Sequence, residues 1–185
     1  MPRKLKIIEM ERLTPEEYRE AEKVPLVLVL DNVRSLHNVG SLFRTADALR
    51  IDSLCLCGIT GTPPHPELHK TALGAEEAVE WLYYKDTLDA IRQLKALDAF
   101  IISLEQAEGS VMIGDLEQLG LSNKPLVALV VGNEVEGVAQ EVIDLSDATI
   151  EIPQKGTKHS MNVSVAGGIA LWETVKVMTP TIRYL

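Results

Sequence analysis

The sequence IEIPQKGTKHSMNVSVAGGIALW, residues Ile150–Trp172, decides the fold of this chain. A short run of β-forming residues, Thr149–Pro153, leads into the polar loop Gln154–His159, which carries two lysines and a histidine. The chain then enters an apolar, glycine-containing helix, which Ser160 is predicted to cap. Polar loops held between rigid elements are where sites are usually built, so this loop is the first candidate site.

Two earlier segments are organised in the same way and are predicted to meet this loop. NVGSLFRTA at Asn38–Ala46 follows the apolar run Leu26–Leu30, and GNEVEG at Gly132–Gly137 follows the apolar run Leu126–Val131. Apolar runs of this length are typical of strands that are buried on both faces of a sheet. Because ligands bind beyond the carboxyl ends of such strands, we expect the three segments to meet at one sheet edge.

The rest of the pattern alternates between strands and helices. Asn38 is able to cap the helix that follows the first strand. Further strands are predicted at Ser53–Cys57, Val79–Tyr84 and Ala99–Leu104, and helices at Val39–Arg50, Thr87–Leu97 and Val138–Leu145. This alternation predicts an α/β fold with a mainly parallel sheet that is covered by helices on both faces.

The length of 185 residues suits one domain with a full core. We divide the chain into a short N-terminal extension with a helix at 1–25 and a single domain at 26–185. The extension contains TPEE, in which Thr14 suits the N-cap, Pro15 the first helical position and Glu17 the third position of a capping box.

Composition predicts a cytoplasmic protein that is not attached to a membrane. No apolar run approaches the roughly 20 residues of a membrane helix, and the basic N-terminus lacks the apolar segment of a signal peptide. The two cysteines, Cys55 and Cys57, point the same way on a strand and would not form an ordinary disulfide. Both observations favour a reducing compartment.

The formal net charge of −9 argues mildly against a nucleic-acid partner, because phosphate contacts require lysine and arginine. Basic residues are nevertheless clustered, at Arg3, Lys4 and Lys6, at Arg34, Arg44 and Arg50, and at Lys155, Lys158 and His159. A local basic surface on an acidic protein is therefore compatible with the sequence, and composition alone does not decide.

Several common kinds of site are excluded by their missing motifs. The sequence contains neither a Gly-x-Gly-x-x-Gly after a strand nor a Walker-type phosphate loop, and no Gly-x-Ser-x-Gly nucleophile elbow. Common dinucleotide enzymes, nucleoside triphosphatases and α/β-hydrolases are therefore disfavoured. The spacing of Cys55, Cys57, His65 and His69 matches no common zinc pattern, and we expect no metal site.

Taken one at a time, the candidate residues are each compatible with an ordinary surface side chain that has no function. Arg44 lies off the apolar stripe of its helix, on a flank shared with Gly40 and Asp47, so a ligand could approach the guanidinium over the glycine. The alternative is a surface arginine paired with Asp47 at i+3, which the helix pattern alone favours. Glu134 and Glu136 taken alone are typical of solvated loop carboxylates.

The combination is more specific than its parts. Asn-x-Gly-x-x-x-Arg-Thr-Ala, Gly-Asn-Glu-x-x-Gly and Ile-Pro-x-x-Gly followed by Ser-Met-Asn-Val-Ser-Val-Ala occur here in that order. This resembles the three motifs of the SpoU/TrmH family of RNA ribose methyltransferases, in the SPOUT superfamily. The resemblance covers roughly Leu26 to Val177, and three motifs in order outweigh the net charge.

The resemblance implies a fold and a cofactor that the residue pattern does not. Family members have an α/β core with a C-terminal trefoil knot, form homodimers and bind S-adenosylmethionine in the knot. By motif position, Gly132, Ile152 and Met161 are expected to contact the cofactor, largely through backbone groups, and Leu104 contributes at the end of its strand.

The resemblance also implies transfer of a methyl group to a ribose 2′-hydroxyl. Arg44 corresponds to the family's catalytic arginine, but a guanidinium is effectively always protonated. We therefore expect Arg44 to hold the adjacent phosphate and stabilise developing alkoxide, while phosphate or water accepts the proton. Asn38 and Asn162 are assigned to positioning, Glu134 to ordering the loop or orienting the substrate, and Ser160 also matches a site position.

The substrate is the least determined of these expectations. The wording Ile-Pro-Gln-x-Gly and Gly-Gly-x-Ala-Leu-Trp-Glu is most similar to the tRNA 2′-O-methylguanosine branch, with ribosomal RNA as the alternative. The chain has no room for the separate N-terminal RNA-binding domain of some relatives. Two rival readings remain, a knotted dimer that binds RNA or protein without catalysis and a different α/β transferase that uses a nucleotide.

Overall fold

The computed structural model describes residues 2–6, 9–10 and 13–179, so residues 1, 7–8, 11–12 and 180–185 of the two predicted regions lie outside the described residues. Seven strands form one sheet, and every strand pair in it is parallel. They are β1 (Val24–Asp31), β2 (Ile51–Cys57), β3 (Glu80–Tyr84), β4 (Ala99–Leu104), β5 (Val111–Met112), β6 (Leu126–Val131) and β7 (Ala148–Glu151), in the order β3-β2-β1-β6-β4-β7-β5. The predicted α/β class with a mainly parallel sheet is confirmed.

Helices cover both faces of the sheet. They are α1 (Pro15–Glu20), α2 (Leu36–Leu49), α3 (Pro66–Ala72), α4 (Ala75–Ala78), α5 (Thr87–Ala96), α6 (Gln140–Leu145) and α7 (Val163–Met178), with 3₁₀ segments at Ile113–Leu119 and Leu121–Asn123. Within the described part of the chain, none of these helices combines the length and apolarity needed to cross a membrane.

Alternate residues of β1 enter two different cores. Leu28 and Leu30 are buried in the cluster that contains side chains of α2 and α7, whereas Val27 and Val29 are buried in the cluster of α5 and α6. Fully burying one such side chain contributes about 1.5–3 kcal/mol. The continuous apolar run of β1 is therefore explained by burial on both faces, as predicted.

Helix α2 begins three residues earlier than predicted. Its N-cap is Ser35, whose hydroxyl accepts the backbone N–H of Asn38 at 3.4 Å. The prediction that Asn38 caps this helix is therefore wrong. The Asn38 side chain is instead buried at the sheet edge and forms hydrogen bonds to other segments.

The cap of α7 is also different from the prediction. Asn162 is its N-cap, and the side-chain oxygen accepts the backbone N–H groups of Ser164 and Val165 at 3.0 and 3.3 Å. Ser160 lies two residues before this N-cap, so its predicted capping role is wrong. The Asn162 side chain thus has both a structural task in α7 and a place at the candidate site.

Gly40 allows two helices to approach, and it does not leave space for a ligand. A Cβ at this position would overlap the Thr71 hydroxyl and the Leu68 carbonyl of α3. The expectation that Gly40 leaves space for a ligand is therefore wrong, since α3 packs against this glycine.

The N-terminal helix has the predicted capping box. The Thr14 hydroxyl accepts the Glu17 backbone N–H at 3.2 Å, and the Glu17 carboxylate accepts the Thr14 N–H at 2.8 Å. Tyr18 of α1 is buried in the larger core, and Arg19 donates to the carbonyl of Glu77 at 3.0 Å. The helix consequently packs against the main body.

Candidate functional site

A cavity of about 270 Å³ opens at the carboxyl edge of the sheet, beyond β4, β6 and β7. Its walls come from residues 104–106 and 131–137 and from eight residues within 151–166, three stretches that are far apart in the sequence. The volume lies close to the lower end of the roughly 300–1,000 Å³ of small-molecule sites. Two of the three segments expected to meet at one sheet edge, the loop after β6 and the segment after β7, meet here.

The four residues expected to contact a cofactor all line this cavity. Leu104 ends β4, Gly132 directly follows β6, Ile152 follows β7, and Met161 lies just before α7. Of the five residues assigned to catalysis, Glu134 and Ser160 also line it.

Gly132 is a point of close backbone approach. A Cβ there would overlap the backbone of Gly137 and Val138. Asn133 and Gly137 exchange two backbone hydrogen bonds at 2.9 Å, which closes the loop into a tight turn with Gly137 at a φ of +72°. Only glycine fits at position 132, and the positive φ at position 137 strongly favours glycine. These two glycines therefore restrict the backbone conformation of the loop between Gly132 and Ala139.

The Glu134 carboxylate connects this loop to the start of α2. It accepts the backbone N–H groups of Arg34 and Ser35 and the side-chain amide of Asn38, each at 2.9 Å. Partial burial opposes ionisation, but these three donors outweigh it, so the pKa of Glu134 lies below its usual range. The ionised Glu134 thus connects the loop to the start of α2, and the two roles expected for it stay predictions.

Asn38 links Glu134 to the start of α7 through two side-chain hydrogen bonds. Its side-chain oxygen accepts the Asn162 amide at 3.1 Å, while its own amide donates to Glu134. The three segments that were singled out in the sequence thus form one hydrogen-bonded relay, Glu134–Asn38–Asn162. The relay fixes the entry of α7 relative to the cavity, which fits the positioning role assigned to both asparagines.

Arg44 does not line the cavity. Its exposed side chain lies in a second, open hollow between α2, α3 and α7, together with Lys70, Thr71 and Trp172. Arg44 is six residues after Asn38, which places it about 9 Å further along the helix at 1.5 Å per residue. The arginine is therefore separated from the cavity.

The cavity has an acidic lining. Glu105, Glu134, Glu136 and Glu151 contribute to it, and none of the described residues that surround it is a lysine or an arginine. This lining disfavours nucleoside phosphates and favours a ligand that carries positive charge. No group of three or more His, Cys, Asp or Glu side chains among the described residues is arranged to hold a metal ion.

Three residues at the site were missed by sequence reasoning. Glu105 and Gln106 directly follow β4 and line the cavity, and buried Asp31 accepts the Ala139 N–H at 3.0 Å. The available signal was their position, because polar residues that directly follow buried parallel strands lie at the ligand-binding edge.

A sequence model described as the SpoU rRNA Methylase family matches residues 25–172. The 23S rRNA (guanosine-2′-O-)-methyltransferase RlmB of Neisseria meningitidis is 32% identical over 150 residues, which are 81% of this chain and 58% of that protein. The chain thus spans less than two thirds of the length of this curated relative.

Solved structures give the same result. The A. aeolicus TrmH/SpoU tRNA modifying enzyme superimposes with a TM-score of 0.76 at 27% identity, covering 90% of this chain and 82% of that one. An AdoMet-bound rRNA methyltransferase from Sinorhizobium meliloti gives 0.75 at 30% identity, covering 89% and 60%. With the family match extending across most of the sheet, the relay and the cavity, the chain belongs to the SpoU methylase family.

Proposed function

We propose that this protein transfers a methyl group from S-adenosylmethionine to a ribose 2′-hydroxyl of RNA. The observation that carries the proposal is the Glu134–Asn38–Asn162 relay, which joins the three motif segments beside one cavity. Membership of the SpoU family and its AdoMet-bound structural relative support the same reaction.

The cavity suits S-adenosylmethionine. Leu104, Val131 and Val163 provide apolar wall, while Gly132 and Ile152 bring backbone polar groups to its lining. The surrounding glutamates favour a sulfonium cation, and they disfavour the phosphorylated nucleotide that a rival α/β transferase would use. When bound, S-adenosylmethionine supplies an electrophilic methyl group.

Arg44 is proposed to act on the RNA. Its guanidinium would hold the phosphate next to the reacting ribose and stabilise negative charge on the 2′-oxygen as the oxygen–carbon bond forms. The hydroxyl proton passes to phosphate or water. This role agrees with the location of Arg44 outside the cavity, since a phosphate contact does not require it to touch the cofactor.

We propose that the active form is a homodimer assembled through α7. Val165 and Trp172 of α7 are 51% and 48% exposed, and they lie seven residues apart and therefore on one face of the helix. Trp172 also borders the hollow that contains Arg44, so a second copy on this face would place Arg44 at the junction of two protomers.

Trp172→Glu should give a monomer by light scattering that binds cofactor but does not methylate RNA, whereas an active monomer would refute this arrangement.

We also propose that residues 26–185 form a single SPOUT domain, with 1–25 as an extension, and that the segment after β7 is knotted. In support, this segment contacts both the connection after β4, through Gln106 and His159, and the start of α2, through Asn162 and Asn38. The knot is tested on an experimentally determined structure, by joining the two ends of the backbone and determining whether the closed curve is a trefoil knot. An RNA substrate would place the reaction in the cytoplasm.

Ribosomal RNA is the substrate we propose. The sequence wording favoured tRNA, but the curated relative from Neisseria meningitidis is named for 23S rRNA and the Sinorhizobium meliloti structure for rRNA. The A. aeolicus relative is named for tRNA, so both RNA classes belong in the assay.

The test is transfer of radiolabelled methyl from S-adenosylmethionine to total ribosomal RNA and, separately, to total tRNA, followed by digestion to nucleosides. We expect a labelled 2′-O-methylated nucleoside from ribosomal RNA. Label in tRNA alone would reverse the substrate proposal. Cofactor binding without label in either pool would favour the non-catalytic RNA-binding dimer.

A further inference from the structure

Two consecutive residues after β4 contact opposite walls of the cavity. The Glu105 carboxylate accepts the backbone N–H of Val138 at 2.9 Å, and the Gln106 side-chain amide donates to the backbone carbonyl of His159 at 2.7 Å. Val138 belongs to the loop after β6, whereas His159 belongs to the segment between β7 and α7. Glu105 and Gln106 therefore hold together two loops that are otherwise far apart in the sequence.

We propose that Glu105 and Gln106 are positioning residues that fix the two walls of the cavity and thereby set its affinity for the cofactor. The proposal rests on the proposed function, because it takes S-adenosylmethionine as the ligand. It assigns to Glu105 the wall at Gly132–Ala139, and to Gln106 the wall at Gln154–Met161.

Glu105 is itself firmly held. Its backbone N–H donates to the Ile150 carbonyl at 3.0 Å, which continues the ladder between β4 and β7. One carboxylate oxygen accepts the N–H of Gln106 at 2.9 Å, and the other accepts Val138. A Cβ at Gly137 would overlap this second oxygen, so glutamate and glycine fit together.

The opposite side of the same wall is held by Asp31. This side chain, only 2% exposed at the end of β1, accepts the Ala139 N–H at 3.0 Å and the Thr87 hydroxyl at 2.5 Å. Because β6 lies between β1 and β4, carboxylates from both neighbouring strands hold two consecutive amides of the loop. Removing the Glu105 contact frees one side while Asp31 keeps the loop folded.

Gln106 contacts the wall at Gln154–Met161, which is held by fewer contacts with the rest of the fold. Residues 153–162 are exposed, and the segment is anchored at its far end by the bond from Asn162 to Asn38. The bond from Gln106 to His159 connects its middle part to the sheet. One net hydrogen bond changes an equilibrium constant by about three- to tenfold, which sets the scale of the expected effect.

The test measures binding of S-adenosylmethionine by calorimetry and its dissociation by stopped flow in the full chain. Gln106→Ala should raise Kd and the dissociation rate about three- to tenfold, and Gln106→Lys, which keeps a long donor, should restore both. Glu105→Gln leaves one N–H donor without an acceptor and should raise Kd about tenfold. Matched controls are Gln118→Ala and Glu108→Gln, both at exposed positions, which should bind like the unchanged protein.

A role confined to folding would change other quantities. If the two residues position the walls, kcat at saturating cofactor and KM for RNA stay within about twofold, while KM for the cofactor rises with Kd. Unchanged Kd in both Gln106→Ala and Glu105→Gln, with the unchanged protein binding normally, would refute this inference alone. Absence of cofactor binding by the unchanged protein would refute the proposed function and this inference with it.

Discussion

Replacing Glu134 by glutamine should loosen the connection between the loop after β6 and helix α2. The carboxylate accepts three donors, from Arg34, Ser35 and Asn38, each at 2.9 Å. Glutamine has nearly the same size but a single acceptor oxygen. Its amide nitrogen must therefore face at least one N–H, and the remaining bonds lose their charge assistance.

The size of the effect follows from the number and exposure of these bonds. A hydrogen bond to a charged group contributes about 1.5–3 kcal/mol, and leaving a donor unpaired costs a similar amount. Glu134 is only partly buried, so water replaces part of what is lost. We expect a net loss of about 2 kcal/mol, which lowers the Tm of a chain of this length by about 4–8 °C.

The loss should depend on pH. The pKa of Glu134 is lower in the folded protein than its ordinary value, because the donors of Arg34, Asn38 and Ser35 outweigh partial burial. The ionised carboxylate thus stabilises the fold above the unfolded pKa of about 4.3, and this stabilisation is lost as pH falls through the folded pKa. The difference between the unchanged protein and Glu134→Gln should be full at pH 7 and should narrow below about pH 4.5.

Urea denaturation of both proteins at pH 7, 5.5 and 4 measures this difference, with methyl transfer assayed in parallel. Glu136→Gln is the matched control, since Glu136 is exposed in the same loop and should change stability by less than about 0.5 kcal/mol. A destabilisation by Glu134→Gln that is the same at all three pH values would show that carboxylate charge does not order the loop.

Two other perturbations test separate parts of the candidate site, and a third tests a pair of side chains outside it. Arg44→Ala should abolish methyl transfer and leave cofactor Kd nearly unchanged, and an equal loss of both would contradict its assignment to the RNA. Gly132→Ala should weaken cofactor binding more than tenfold, because its Cβ would overlap loop backbone, whereas Gly114→Ala, in open space, should bind normally. The pKa of His69, measured by NMR, should lie above its ordinary value of about 6.5, because the imidazole forms a hydrogen bond with the Glu76 carboxylate at 2.5 Å. The stabilisation of the fold by this pair is lost as pH rises through the pKa of His69 in the folded protein. An unshifted pKa of His69 would refute the pair.

The fold was predictable wherever burial on both faces left a continuous apolar run. β4 and β6 have the predicted bounds, and β1 was recognised from residues that fill two cores. The short strand β5 and the 3₁₀ segments at Ile113–Leu119 and Leu121–Asn123 were missed. Their residues do not repeat with the period of a strand or an α-helix, so periodicity carries no signal there.

Helix starts were harder to predict, because several residues in each loop are able to cap. Asn38 and Ser35 are both good N-cap residues, and tertiary hydrogen bonds decide between them. Glu134 and Asn162 engage Asn38, so Ser35 becomes the cap. Similarly, Asn162 replaces Ser160 at α7. Local sequence cannot show which side chain is engaged by a segment about 100 residues away.

The sequence predicted which residues lie near the candidate site better than it predicted how these residues are arranged. Resemblance selected residues that the structure places around the cavity, and Arg44, which it places in a second hollow. The sequence pattern also predicted open space at Gly40, whereas α3, which was not predicted, packs there. The contact between Gln106 and His159 had no local signal at all, since it depends on the order of β4 and β7 in the sheet.

The separation of charge reconciles an acidic chain with the proposed RNA substrate. Glu105, Glu136 and Glu151 are gathered at the cavity, where negative potential favours a cationic cofactor and disfavours phosphates. Lys155 and Lys158 are exposed on the segment that forms one cavity wall, so positive charge lies outside the same opening. RNA binding depends on local lysine and arginine contacts and not on the net charge of −9. The same wall therefore separates the proposed site for a cation from a surface that suits a polyanion.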